Sequence, residues 1–381
     1  MKIKLIRITT VPISLDKLIE GQMTFMKDYY EVIAISSDLE NLRKVGVKEG
    51  VRVKEIKLTR KITPIKDLFA LIKLYRFLKK EKPEIVHTHT PKAGIVGMLA
   101  SYFAKVPNRL HTVAGLPLIE TKGIKRKVLN TVERLTYASA TKIYPNSYGL
   151  KEIILKNKLS KKNKLKVIAN GSSNGINTKY FNPNLFLEDQ KKSLKKDLKI
   201  KETDFVFIFV GRIVRDKGVN ELVKAFEQLS KEEKHIKLLL VGAFEDELDP
   251  LENTTKKSIE TNKQIISIGY KGDVRPYFSI SNVLTFPSYR EGFPNVVMQA
   301  GAFGLMSIVS DINGCNEIIK NNKNGIIIPV KNIEALCLAM KKSMKIKLDK
   351  NNIRKMICDK YEQNVVWEAL LTEYKSFEID V

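Results

Sequence analysis

Ser288-Tyr-Arg-Glu-Gly-Phe-Pro-Asn-Val-Val-Met-Gln-Ala-Gly301 decides the reading of this chain. A short apolar strand, Asn282 to Pro287, leads into it, and a helix is expected from Asn295 onward. Polar side chains, a glycine and free backbone N–H groups therefore converge where a strand ends and a helix begins. Open α/β sheets bind ligands at the carboxyl ends of their strands, and a helix N-terminus favours anionic oxygens. Glu291 and Gln299 lie about two helical turns apart, so both can face one ligand. These are the features of a nucleotide-sugar site.

A second stretch, Gly211-Arg-Ile-Val-Arg-Asp-Lys-Gly218, follows the apolar run Phe205–Val210 and precedes another helical pattern. Glycine permits close backbone approach. Arg212 can grip a diphosphate with two parallel hydrogen bonds, and Lys217 adds a compact point charge. Arg215, between them, is expected to face solvent. Taken alone, the stretch is no more than a basic strand-to-helix turn. Placed at the same edge of one sheet as Ser288–Gly301, it forms half of a site.

Strand-like and helical runs alternate along the whole chain. In the first half, strands are expected at Ile3–Ile8, Glu31–Ser36, Val51–Leu58, Ile85–His89, Arg109–Val113, Lys142–Pro145 and Leu165–Ala169. Helices are expected at Ile65–Lys80, Ala93–Phe103 and Lys125–Ala138. The second half repeats the scheme, with strands at Phe205–Val210, Lys237–Val241, Ile265–Ile268, Val283–Phe286, Ser307–Val309 and Gly325–Ile328. Its helices are Gly218–Leu229, Asn295–Phe303 and Ile333–Met344, after a charged helix near Lys191–Lys201. Such alternation predicts an α/β fold with parallel, doubly wound sheets. A chain of 381 residues is too long for one ordinary core. The loop Asn170-Gly-Ser-Ser-Asn-Gly-Ile-Asn177 reads as a linker. The domains are drawn at residues 1–166 and 167–360. The tail, residues 361–381, reads as an amphipathic helix with Val365, Trp367, Leu370, Leu371 and Tyr374 as its buried positions.

Composition narrows the function classes. No apolar run approaches the roughly 18 residues of a membrane span. Met1–Arg7 is interrupted by charge and reads as a first strand, not a secretory signal. Three cysteines without metal spacing fit a reducing cytoplasm. The net charge of +25 is unevenly placed: residues 1–166 hold 35 Lys and Arg against 14 Asp and Glu, and residues 167–381 hold 32 against 28. An excess confined to one half points to an anionic partner for that half. An anionic membrane surface is preferred to nucleic acid, because no nucleic-acid motif occurs and aromatics do not interleave the basic runs. Thr121–Lys127 and Lys151–Lys166, the latter with Ile153, Ile154 and Leu155, are the candidate basic amphipathic surfaces.

The combination of Gly211-Arg212…Lys217-Gly218, Pro287-Ser288…Glu291-Gly292-Phe293-Pro294 and Gly314…Glu317…Asn324-Gly325 resembles the retaining glycosyltransferases of family 4, over nearly the whole chain. His87–Gly94 and Ala169–Ile176 look like members that build bacterial capsules, exopolysaccharides and O-antigens. The resemblance implies a GT-B fold: two Rossmann-like domains facing across a cleft, an N-terminal one for the acceptor and a C-terminal one for the nucleotide sugar. The last helix would cross back to the first domain. Arg212 and Lys217 would bind the donor diphosphate, with Gly211 allowing close approach. Glu291 would contact hydroxyls of the transferred sugar. Backbone amides of Phe293, Pro294, Asn295 and Val296 mark the segment that supports sugar and phosphate, proline contributing no N–H of its own. Position 299 would hold the ribose, and the Gly269-Tyr270 turn would border the base. A strand-end core tyrosine is the other reading of Tyr270.

Two positions depart from the family pattern. Gln299 replaces a glutamate; a neutral amide still bonds ribose hydroxyls as donor and acceptor. Ala114 stands where many members carry a histidine. His87 and His89 alternate on one strand and read as structural; His111 precedes Ala114 on the next. Thr10, Pro12 and Gly21, in and after the first strand's loop, and His111, Ala114 and Gly115 are the candidate acceptor contacts, within segments Thr10–Asp16 and Val113–Leu118.

The expected activity is hexosyl transfer from a UDP-hexose or UDP-N-acetylhexosamine to a polyprenyl-diphosphate-linked saccharide, at the inner face of the cytoplasmic membrane. With no Asp-x-Asp in the chain, no metal or other cofactor is required; Arg212, Lys217 and helix dipoles would stabilise the leaving diphosphate. No second carboxylate accompanies Glu291 as it does in retaining glycosidases. The resemblance implies instead that the acceptor attacks from the face the nucleotide leaves. The rival functions are a nucleotide-sugar epimerase of similar shape, which needs an acid–base pair near the sugar, a basic nucleic-acid-binding protein, and a scaffold without activity.

Overall fold

Alternating apolar strands and amphipathic helices produce two parallel sheets in the computed structural model, which describes residues 2–59, 61, 63–116, 123–247 and 249–378. The first sheet contains β1 (Lys4–Ile8), β2 (Glu31–Ser36), β3 (Arg52–Glu55), β4 (Ile85–His89), β5 (Asn108–Val113) and β6 (Lys142–Pro145). Its strand order is β3-β2-β1-β4-β5-β6. The second contains β7 (Phe205–Val210), β8 (Ile236–Val241), β9 (Ile265–Ser267), β10 (Val283–Phe286), β11 (Met306–Ser310) and β12 (Gly325–Ile328), in the order β12-β11-β10-β7-β8-β9. Each order reverses once, between β1 and β4 and between β10 and β7. Those reversals open the crevices in which doubly wound sheets take ligands.

Local sequence explains the elements. β7 reads Phe-Val-Phe-Ile-Phe-Val and its central residues are fully buried, as befits an inner parallel strand covered on both faces. β3, at an edge, reads Arg-Val-Lys-Glu and alternates towards solvent. The helix Val219–Glu232 buries Val219, Leu222, Val223, Phe226 and Leu229, one stripe at helical spacing.

The chain divides into two compact units, Met1–Gly175 with Gln363–Val381, and Ile176–Glu362. The divide falls later than the expected 166/167 boundary. The linker residues after 166 are held inside the first unit: Ile168 is in its core, Ser172 donates its N–H to the Asn146 carbonyl, and Asn174 accepts from Gln22 and Trp367. Leu165–Ala169 is not a strand; Leu165 makes a single parallel bridge to Ile143. Its apolar residues face two different core clusters, so their pattern records burial and not a ladder.

The last helix spans Gln363–Ser376 and packs in the first unit. Leu370, Leu371 and Tyr374 are buried, Trp367 partly so. Val366 takes the buried position expected of Val365, which is exposed. The polar groups of this helix are also tied down. The Tyr374 hydroxyl meets Arg7 Nη1 at 3.1 Å and His87 Nδ1 at 2.6 Å, and Glu373 accepts from Tyr144 and pairs with Lys166.

Beneath it lies a buried polar cluster around one cation, Arg7. Arg7 is fully enclosed, bonded to Gln22, to His89 and to Tyr374. His87 and His89 stack at 4.4 Å, and His87 Nε2 meets the Thr112 hydroxyl at 2.7 Å. Burial, and then the charge of Arg7 and the neighbouring imidazoles, hold both histidines well below their ordinary value. Burial pushes His111 down to about 4. The folded values lie below the unfolded one, so between pH 6.5 and about 4 the unfolded state binds more protons and stability rises with pH. This contribution is complete above pH 6.5 and is lost as pH falls. Each imidazole is expected to remove about 1.4 kcal/mol between pH 7.5 and 5.5. Urea unfolding at the two pH values measures it, and equal stabilities would contradict neutral buried imidazoles.

Candidate active site

The two segments singled out by sequence meet at the reversal of the second sheet. β7 and β10 are adjacent and parallel, with Phe207 opposite Val283 and Ile208 opposite Leu284. Their carboxyl ends therefore deliver Gly211–Gly218 and Ser288–Gly301 to one place. Lys217 Nζ forms an ion pair with Glu291 Oε1, and both side chains are largely buried. Ser288 Oγ donates to the same Oε1 at 2.9 Å. Lys217 also lies over the Phe286 ring, 5.9 Å from its centroid.

The turn is braced from three sides. Tyr289 N–H donates to the Asp216 carbonyl at 2.9 Å, Arg290 pairs with Asp216 at 3.0 Å, and the Tyr289 hydroxyl donates to Glu221 at 2.6 Å. Asn313 Nδ2 donates to the backbone carbonyls of Glu291 and Gly292. At Gly218 the backbone has φ 70°, and a Cβ there would lie 2.1 Å from the Pro287 carbonyl oxygen. The two segments thus touch backbone to backbone, which holds Lys217 and Glu291 at a fixed separation.

Arg212 is half exposed and pairs with Glu245 at 2.9 Å. Arg215 faces solvent as expected and pairs with Asp249. Gly211 has an open backbone at φ 153° beside Phe209. Phe293 and Pro294 are buried, Asn295 is exposed and Val296 half-buried; together they open the helix Asn295–Ala302. Gln299 lies half-buried on that helix. Tyr270 is 77% exposed, which overturns its reading as a core residue and leaves a ring face free at the end of β9. Cys315 is buried near the Lys217–Glu291 pair; burial, with Glu291 adding to it, pushes its thiol well up, so it stays protonated. The sequence did not single out Glu245, Ser288 as a partner, or Asn313. Asn313 does stand directly before the glycine of the Gly314…Glu317 motif.

The acceptor-side candidates divide. Thr10 lies at the first sheet's reversal: its hydroxyl meets that of Thr90 at 2.8 Å, and its N–H donates to Thr90 Oγ1 at 3.2 Å. Thr90, which sequence reasoning passed over, holds φ 76°. That conformation is a genuine outlier for a β-branched residue and is typical of ligand-binding sites. Ala114 is exposed and Gly115 half-buried, at the end of β5; among the described residues nothing lies within 4 Å of where a Cβ would stand at Gly115.

The other candidates are corrected. Thr10–Asp16 is not a loop, because Pro12 starts a helix, Pro12–Leu18, and is itself buried. Gly21 donates its N–H to Glu49, and the Trp367 ring fills the space at its Cα. His111 is buried under the helix Pro91–Phe103, bonded to Thr88 Oγ1 at 2.8 Å and packed near Tyr137. Pro117, Leu118, Thr121 and Lys122 lie outside the described residues. Ile153, Ile154 and Leu155 turn into the core or pack on it, so Lys151–Lys166 offers no apolar face to a membrane.

The fold has solved counterparts. A glycosyltransferase from Rickettsia africae superposes with a TM-score of 0.79, at 20% identity, over 99% of this chain and 98% of that one. Anabaena HepE in complex with UDP gives 0.79 at 15% identity, over 99% and 100%. Two doubly wound sheets, with a basic glycine turn set against a Glu-Gly-Phe-Pro turn, define the class as GT-B. Residues 190–359 match the model for glycosyl transferases group 1, and residues 19–147 that for glycosyl transferase 4-like domains. The capsular polysaccharide biosynthesis glycosyltransferase CapM of Staphylococcus aureus is 32% identical over 380 residues, 98% of this chain and 97% of the relative. The UDP-Gal:alpha-D-GlcNAc-diphosphoundecaprenol alpha-1,3-galactosyltransferase of Escherichia coli is 32% identical over 288 residues, 74% of this chain and 72% of the relative. The chain belongs to glycosyltransferase family 4.

Proposed function

We propose that the protein is a retaining glycosyltransferase of bacterial surface polysaccharide synthesis. It moves a hexose or N-acetylhexosamine from a UDP-linked donor to a saccharide carried on polyprenyl diphosphate. The observation that carries this reading is the Lys217–Glu291 pair, held against Gly218 and Pro287. On this reading Lys217 meets the diphosphate and Glu291 the sugar, and their direct pairing keeps the two groups adjacent, as a sugar bonded directly to a diphosphate needs.

The roles follow from the bonding. Lys217 and Ser288 both occupy Glu291 Oε1, which leaves Oε2 to accept from sugar hydroxyls. Arg212 has solvent around it and exchanges Glu245 for the diphosphate, where its fork is matched by two oxygens. As the bond to the anomeric carbon breaks, charge grows on the leaving diphosphate. Arg212, Lys217 and the amides opening the helix Asn295–Ala302 are preoriented to meet it. Gln299 holds the ribose and Tyr270 stacks on the base. The acceptor hydroxyl attacks from the face the nucleotide leaves, and its proton passes to the departing phosphate oxygen. No metal is required. The lipid-linked acceptor is supported by two relatives whose names specify diphosphoundecaprenol-linked substrates, from Escherichia coli and Campylobacter jejuni.

A panel of UDP-, GDP- and ADP-sugars read by thermal shift tests the donor. A UDP-sugar is expected to raise Tm by several degrees at 100 times its Kd. Product mass with a polyprenyl-diphosphate N-acetylhexosamine, followed by the anomeric configuration, tests the reaction. Activity is expected to persist in a chelator. Inversion at the anomeric carbon, or conversion of the donor without transfer, would sink the reading.

A further inference from the structure

A groove of about 670 Å³ opens in the first unit beside its sheet reversal. Thr10 and Thr90 form its polar end, and three helices, Pro64–Glu81, Pro91–Phe103 and Gly123–Ser139, form its walls. The walls are aliphatic, carrying Leu68, Leu71, Ile95, Leu99, Val128 and Val132. Of the charged residues in the lining, Lys92 and Asp67 pair with each other. The third, Glu133, is buried, and burial raises its carboxyl towards the neutral form.

The apolar surface continues past the groove's lip. Leu68 and Val128 line the groove and are exposed as well. Ile65, Phe69 and Ile124, within one turn of them, are 74%, 62% and 81% exposed. Single exposed aliphatics need no explanation, but five on the two helices that flank one groove make a patch. Lys66 and Lys127 are exposed beside them, on the half of the chain that holds most of the positive excess.

The chemistry of the walls selects the occupant. A peptide laid in this groove would leave its backbone N–H and C=O groups without partners. A free sugar would find few acceptors for its hydroxyls. A hydrocarbon chain needs no polar partners, and the volume lies within the roughly 300–1,000 Å³ of small-molecule sites. The basic rim suits the anionic surface from which such a chain would enter, and the hydroxyls of Thr10 and Thr90 beside Lys92 suit an anionic head at the far end.

We propose that this groove binds the first isoprene units of a polyprenyl diphosphate, with the diphosphate at the Thr10–Thr90–Lys92 end. The assignment of the head group rests on the transferase reading above; the selection of a hydrocarbon chain does not. The enzyme thus measures the lipid as well as the saccharide of its acceptor, and the rim helices rest on the membrane from which the chain enters.

The test compares binding of geranylgeranyl diphosphate with isopentenyl diphosphate, below micelle-forming concentrations and with no donor present. The wild type is expected to bind the longer chain at least tenfold more tightly. Val132→Trp, which fills the groove, and the paired change Leu68→Asp with Val128→Asp, which charges its lip, are each expected to remove that preference. Circular dichroism melting establishes that each variant is folded, and the two act at different depths of the groove. Equal affinity for the two chain lengths in the wild type overturns the proposal, as does a preference that survives both folded variants. Because the preference is read without donor, it stands or falls apart from UDP binding and sugar transfer.

Discussion

Arg212→Ala is expected to lower kcat by about 10²–10³-fold, the loss typical of removing one preorganised charge or donor from a developing anion. Stability should hardly change. The Arg212–Glu245 pair is half exposed, and such pairs contribute roughly 0–1 kcal/mol, which corresponds to a Tm shift of no more than about 4 °C. Arg212→Lys keeps the charge but not the two-toothed fork, so it should recover only part of the rate. Steady-state kinetics with the UDP-sugar chosen by the donor panel, beside a melting curve, decides the matter. Activity of Arg212→Ala within tenfold of wild type would remove Arg212 from the diphosphate. Lys217 is a poorer first target, because its loss would leave Glu291 buried without a counter-ion, and stability would fall together with rate.

Gly218→Ala should be among the most damaging single-methyl changes in the second unit. Two costs coincide there. The backbone has φ 70°, and the new Cβ would lie 2.1 Å from the Pro287 carbonyl oxygen. Left-handed backbone costs an L-residue about 1–2 kcal/mol, and overpacking adds about 1–3 kcal/mol. The expected loss is about 3 kcal/mol or more, with UDP affinity lost too, because relief of the clash must part the Lys217 segment from the Glu291 segment. Gly269→Ala provides the control. Its φ is 68° and nothing lies within 4 Å of the built Cβ, so only the backbone cost of about 1–2 kcal/mol applies. Denaturant midpoints for the two variants measure the difference. Equal costs would show that the approach of the two segments is not what Gly218 protects.

Most strands were legible because their signals are local. β2, β4, β6, β7, β10 and β12 begin and end where the apolar runs do. Leu165–Ala169 failed for the same reason it was attractive. An apolar run reports burial, and burial between two clusters looks the same as burial in a ladder. The exposed Ile124 and Lys127 were legible as a surface, whereas the burial of Ile153–Leu155 was not, since only packing decides which way an apolar face turns. Gly21 and His111 were misread as open positions for a related reason. Placement after or within a strand says which end of the sheet a residue occupies. It does not say that Trp367, far along the chain, or the helix Pro91–Phe103 will cover it.

The sequence by itself determined the α/β alternation, the two strand-to-helix turns, and the residue types that suit a diphosphate and a sugar. Each depends on periodicity and turn chemistry within some ten residues. Only the tertiary structure decided that Lys217 pairs with Glu291, that Thr10 meets Thr90, and that Asn313 pins the Glu291 turn. These partners come from different crossovers and are joined by strand order. β10 lies beside β7, and β4 beside β1, because the chain reverses direction across each sheet. Long-range pairing of this kind leaves no local trace. The Ser288–Gly301 segment pointed to a ligand site, and the turn after the neighbouring strand supplied the cation to which the proposed function assigns the diphosphate.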